Sequence, residues 1–224
     1  MVNMGDYSGD AIAACKSVLV ESLTVLGRHR QHLVLVGGWV PPLLMPDAGH
    51  IGTIDIDLAI DSRQIPAYLY ETISNDLQRA GYRTAGIPNR FEREVRVGSK
   101  KVTVKLDLIT GEYGHPPDGG THQLIQGMPV WRSRGVDVAL DHSVEIRVSG
   151  ALPDGGVNEV RLRVAVITAF LVMKAPAKFK SIDSVGPVWA AQVVQASGGD
   201  YEPTRRDAFE RATTLFAALG VTAD

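Results

Sequence analysis

The chain has 224 residues, 45% of them hydrophobic and 21% charged, with a formal net charge of -2. That balance excludes a disordered chain and a global basic field, leaving only local basic patches to meet a polyanion. Its single cysteine, Cys15, excludes an intramolecular disulfide and a zinc site made of several thiolates. No apolar run approaches the roughly 20 residues of a membrane helix. The opening MVNMGDYSGD lacks the basic and apolar regions of a secretion signal. The expectation is a soluble, cytoplasmic chain with no membrane partner.

The first predicted element is a helix from Asp10 to Leu26, with Ile12, Cys15, Val18, Leu19, Ser22 and Leu26 on its buried face and Gly27 at its end. Leu33 to Val36 reads as a buried strand stopped by Gly37 and Gly38. Pro41 and Pro42 keep any helix from Trp39 to Leu44 short. A second strand lies within Ile51 to Ile60. A helix follows from Pro66 to Ala80, with proline in its first turn and Gly81 beyond its end. Phe91 to Val97 and Lys101 to Ile109 read as a hairpin around Gly98-Ser99-Lys100. Gly111 to Gly120 is a loop, and metal binding by its flanking His115 and His122 is less expected than solvation. Val136 to Leu140, Ser143 to Val148 and Glu159 to Arg163 are expected strands, with a turn at Pro153 to Gly156. Helices are expected over Val164 to Ala175, Val185 to Ala196 and Pro203 to Leu219.

The expected fold class is therefore α+β. A mixed β-sheet flanked by helices occupies residues 1–163, and a C-terminal helical region, 164–224, packs on that core.

The chemistry concentrates in VLVGGWVPPLLMPDAGHIGTIDIDLAID, Val34 to Asp61. Side chains alternate along a strand, so Asp55 and Asp57 share one face while Ile54, Ile56 and Leu58 share the other. Two carboxylates roughly 7 Å apart repel unless a counter-charge lies between them, and a hard divalent cation supplies one. In VTVKLDLIT, Asp107 is the acid on the face opposite Val102, Val104, Leu106 and Leu108. Beside the first strand it would complete a three-carboxylate site suited to Mg²⁺. Gly37 and Gly38 allow a phosphate to approach the backbone closely. The Thr53 hydroxyl can orient a phosphate or a carboxylate, and His50 is near enough in sequence to reach the same edge. Arg93 and Lys105 are candidates for one wall of the cleft. Trp39 reads as packing, and Cys15 as an inert core thiol.

This constellation resembles the nucleotidyltransferase fold of the DNA polymerase beta superfamily, and within it the AbiEii-like nucleotidyltransferase family. The likeness is carried by Gly37, Gly38, Asp55, Asp57 and Asp107. It extends through LPDGG at Leu152 to Gly156 and VRLRVAVITAFLVMKA up to Ala175. It implies Mg²⁺, replaceable by Mn²⁺, on Asp55, Asp57 and Asp107, with Asp107 also acting on the incoming hydroxyl. It places the nucleoside triphosphate against Gly37, Gly38, Thr53 and His50, with Lys174 and Asp183 also contacting the nucleotide. A lysine closing an apolar helix also commonly snorkels to solvent, which is the structural alternative for Lys174. The segment after Lys174 departs from the family pattern. Pro176 follows closely, and Asp183 is its only acid.

The implied activity is transfer of a nucleoside monophosphate from an NTP to a hydroxyl of RNA, such as a tRNA 3′ end, or of a protein. The implied role is the toxin of a toxin–antitoxin system with a cognate antitoxin. Two alternatives stand beside it. GGWVPPLL followed by DIDLAI also resembles aminoglycoside- and lincosamide-type antibiotic nucleotidyltransferases. The altered segment after Lys174 also suits a catalytically weak, nucleotide-binding relative.

Overall fold

A computed structural model of the chain describes residues 9–48, 53–61, 67–87, 89–111, 122–125, 128–133 and 135–178. His50, His115, Asp183 and the two helices expected after Val185 lie outside the described residues. The chain forms two compact units, Met1–Phe170 and Leu171–Asp224.

Five helices and nine strands occur among the described residues: α1 (Gly9–Val25), β1 (Leu33–Val36), α2 (Val40–Leu44), β2 (Asp55–Ile60), α3 (Ala67–Arg79), β3 (Arg83–Thr84), β4 (Arg90–Val97), β5 (Lys100–Thr110), β6 (His122–Ile125), β7 (Met128–Arg132), α4 (Val136–Asp141), β8 (Ser143–Ala151), β9 (Val157–Ala165) and α5 (Ile167–Lys178). The fold is α+β, with helices flanking one mixed sheet. The strand order is β3-β4-β5-β2-β1-β9-β8, and the β6–β7 hairpin joins β5 through β7. β2 runs antiparallel to β1 and parallel to β5, and β1 runs parallel to β9.

Burial follows the alternation in the sequence. Ile56, Leu58, Leu106, Leu108, Phe91, Leu33, Leu35, Leu162 and Val164 are all buried. The registers place them on one face of the sheet, on which α1 lies. The stripe expected on α1 is buried at Cys15, Val18, Leu19 and Ser22, and Leu26 just beyond the helix is buried too. Each large aliphatic side chain removed from water there contributes about 1.5–3 kcal/mol.

Several elements differ from the sequence expectation, and the two-residue β3 is one that has no expected counterpart. Residues Val136 to Leu140 form a helix rather than a strand. Gly135, at φ 79°, redirects the chain, and Val136, Ala139 and Leu140 bury at helical spacing. The β6–β7 hairpin has no expected counterpart, because Pro129 in a short run argues against a strand. The hairpin turn between β4 and β5 is two residues long, since Val97 pairs with Lys100 and Gly98 sits at φ 61°.

The connection between α1 and β1 contains a buried titratable group. The His29 side chain is 0% exposed, and its Nδ1 has no hydrogen-bond partner. Its Nε2 accepts from Arg28 Nε at 3.2 Å and lies 3.4 Å from Asp76 Oδ2. Burial lowers its pKa from 6.5, against the pull of Asp76. The folded protein therefore prefers neutral His29, and its contribution is intact above pH 6.5 and lost as pH falls below that value. Burial opposes ionisation of Asp76 too, but hydrogen bonds from Arg28 keep its carboxyl below 3.8, so its contribution is lost only at lower pH. Thermal unfolding between pH 7.5 and 5.5 should show stability falling by at most about 1.4 kcal/mol per pH unit from this one proton. In His29→Gln that portion of the slope should vanish. An unchanged slope would show that His29 is not its source.

Candidate active site

Opposite the face on which α1 lies, the sheet is polar where β4, β5 and β2 meet. Asp55 and Asp57 alternate with buried Ile56 and Leu58, and both are half-buried. In the parallel β2–β5 register Asp57 pairs with Asp107, and Asp55 pairs with Lys105. The three carboxylates the sequence singled out therefore share one face on adjacent strands.

The end of β1 closes over this face. Val36 pairs with Asp57, and the chain then turns through Gly37 at φ 74°. A Cβ on Gly37 would overlap the Asp57 carboxylate. One on Gly38 would come within 2.7 Å of Thr53 Cγ2. Only glycines let the backbone lie this close to both side chains. Thr53 is buried, and its hydroxyl donates to the Asp55 carboxylate, which fixes the orientation of that group. Trp39 is 4% exposed, and its Nε1 donates to Cys15 Sγ at 3.2 Å, so it packs beneath the turn. Burial pushes the Cys15 thiol up to about 12, despite that hydrogen bond. It is inert at neutral pH.

Sequence reasoning missed the role of Arg90. It stands opposite Asp107 in the β4–β5 pair. Its Nε donates to Oδ1 at 2.7 Å and its Nη2 to Oδ2 at 2.6 Å, a bidentate fork. That bonding, opposed by partial desolvation and aided by the charges of Asp107, Asp55 and Asp57, raises the Arg90 pKa above its ordinary value. Arg90 thus answers electrostatically to all three acids. Among the described residues no three His, Cys, Asp or Glu side chains gather into a metal-holding group. At Asp107 both oxygens face a guanidinium. The acids supply oxygen ligands, the donor type a hard cation takes, and at Asp107 the Arg90 guanidinium already provides the positive charge.

Arg93 does not share a wall with Lys105. It pairs with Val104 and faces the other way, forked to Glu21 on α1 at 2.8 and 2.9 Å and lying 5.7 Å from the centre of the Tyr82 ring. Lys105 is exposed on the carboxylate face. Lys174 is half-buried on α5 and belongs to the second unit.

No protein-family model, curated protein or solved structure matches the chain.

The close approach of Gly37 to Asp57 is testable against an internal control. Gly86 has nearly the same φ, 72°, but nothing within 4 Å of an added Cβ. Gly86→Ala should cost about 1–2 kcal/mol for the left-handed conformation alone. Gly37→Ala should cost at least about 2 kcal/mol more, from overlap with Asp57. Denaturant titration of both variants measures the difference, and equal losses would mean that Asp57 does not lie against the turn.

Proposed function

We propose that this chain is a metal-dependent nucleotidyltransferase. It would transfer a nucleoside monophosphate from an NTP to an acceptor hydroxyl and release pyrophosphate. The observation that carries the reading is the placement of Asp57 beside Asp107 on parallel strands, directly under the Gly37 turn. A Gly-Gly turn, an Asp-x-Asp strand and a third acid on a neighbouring strand is the signature that supports this reading.

Asp55 and Asp57 would hold Mg²⁺ or Mn²⁺, with Asp107 as the third ligand. When bound, the cation would neutralise phosphate charge and assist in-line displacement at phosphorus. Thr53 keeps the Asp55 carboxylate in one orientation. Gly37 is buried against Asp57, and the half-buried Gly38 beside Thr53 is the part of the turn whose backbone would meet the triphosphate. In this reading Asp107 would also accept the proton of the attacking hydroxyl. Lys105, in register with Asp55, adds exposed positive charge beside the site. Lys174 is the further candidate for the triphosphate. The acceptor in this reading is a hydroxyl of RNA, a tRNA 3′ end among them, or of a protein. The setting is a cytoplasmic toxin held by an antitoxin. The fork on Asp107 favours a second reading, a relative that binds nucleotide without turning it over.

The test is incubation with each α-³²P-labelled NTP, Mg²⁺ and total RNA. Transfer to a discrete RNA should fall at least about 10²-fold in Asp57→Asn, with the far-ultraviolet spectrum unchanged. Equal transfer by a folded Asp57→Asn variant would overturn the assignment. Nucleotide binding without transfer to RNA, protein or an antibiotic panel would favour the binding reading. Acceptor affinity that falls steeply between 50 and 200 mM salt, by about tenfold or more, marks a polyanion, and indifference to salt marks a small acceptor.

A further inference from the structure

By register the carboxylate face includes Arg90, Arg96, Lys101 and Lys105, and the two nearest Asp55 and Asp107 differ in kind. Arg90 is 30% exposed, and Asp107, which it forks, is 14% exposed. Lys105 is exposed, in register with Asp55 on one neighbouring strand and Glu92 on the other. The Arg90 fork takes one hydrogen bond on each Asp107 oxygen. A planar guanidinium so placed matches the carboxylate in shape as well as charge, which a lysine cannot do. A cation arriving at Asp55 and Asp57 meets this guanidinium one strand away and finds Asp107 already engaged.

We propose that Arg90 is a latch on the site: it holds Asp107 as an ion pair in the free protein, and a divalent cation gains Asp107 as a ligand only when that fork opens. Arg90 is a positioning residue, acting through Asp107. The inference rests on the reading of this face as a metal site. It ties cation affinity to the conformation of one side chain, and a phosphate-bearing ligand, a strong bidentate partner for arginine, is the chemistry suited to open the fork. The latch also stabilises the metal-free protein, because without it Asp107 loses both guanidinium hydrogen bonds while standing beside Asp57.

The test measures binding of Mn²⁺ alone to the full chain, by calorimetry and by electron paramagnetic resonance of free Mn²⁺. Arg90→Met should bind Mn²⁺ about tenfold more tightly than the wild type, whereas Lys105→Met, which removes a charge on the same face but no fork, should gain no more than about threefold. Arg90→Met/Asp107→Asn should lose the gain, since the extra affinity comes through Asp107. Without metal, Arg90→Met should melt below the wild type, and Mn²⁺ should narrow the gap. Arg90→Lys, which keeps the charge and loses the fork, serves if Arg90→Met does not fold, and should gain about threefold. Unchanged affinity in the folded Arg90 variants would overturn the latch. So would a gain that survives in the double variant, because Arg90 would then act only as a distant charge. Asp57→Asn separates the two readings. If it abolishes Mn²⁺ binding while the Arg90 variants gain nothing, the metal site stands and the latch falls; if it leaves Mn²⁺ binding intact, the metal site itself falls.

Discussion

Asp57 and Asp107 lie side by side on parallel strands, and carboxylates at that spacing require a counter-charge. At Asp107 the charge comes from Arg90, one strand farther along the sheet, through a fork at 2.6 and 2.7 Å. Much of the surrounding structure keeps this group together. The Gly37 turn folds over Asp57, Thr53 orients Asp55, and Trp39 pins the turn from below through Cys15. Each contact limits how far an acid can move away from its neighbours.

The opposite face of the same strands makes that charged face affordable. Ile56, Leu58, Leu106 and Leu108 alternate with the acids and are fully buried. A slip of one residue in β2 or β5 would drive carboxylates into the core and expose leucines. The apolar half of each strand thus fixes the register that aligns Asp57 with Asp107. Arg93 shows the same rule from the other side. Being on the core face, it is tolerated because Glu21 accepts from its Nε and Nη2 and the Tyr82 ring lies against it.

Period-two alternation made Asp55, Asp57 and Asp107 legible in the sequence as outward acids, and the glycine pair legible as a turn. Which strands adjoin, and in what register, is set by contacts distant in sequence, so the Asp57–Asp107 pairing was a supposition. Arg90 was within reach of the sequence but misread. With Gly98 and Ser99 as the turn, counting back seven residues on each strand from the Val97–Lys100 pair arrives at Arg90 and Asp107. Treating Lys100 as a third turn residue shifts the pairing by one, which set Arg93 opposite Lys105 and turned Arg93 to the wrong face. Val136 to Leu140 was misassigned for another reason: five residues are too few for helical and strand periods to separate.

The site as described joins oxygen ligands, a close backbone turn and an engaged third acid, a combination suited to binding a cation with a polyphosphate. The most direct measurement is a crystal structure of the chain with Mg²⁺ and a non-hydrolysable nucleoside triphosphate. The account predicts a cation on Asp55 and Asp57, with the triphosphate against the Gly37–Gly38 backbone. Nucleotide bound elsewhere, with the acids of β2 and β5 bare, would contradict it.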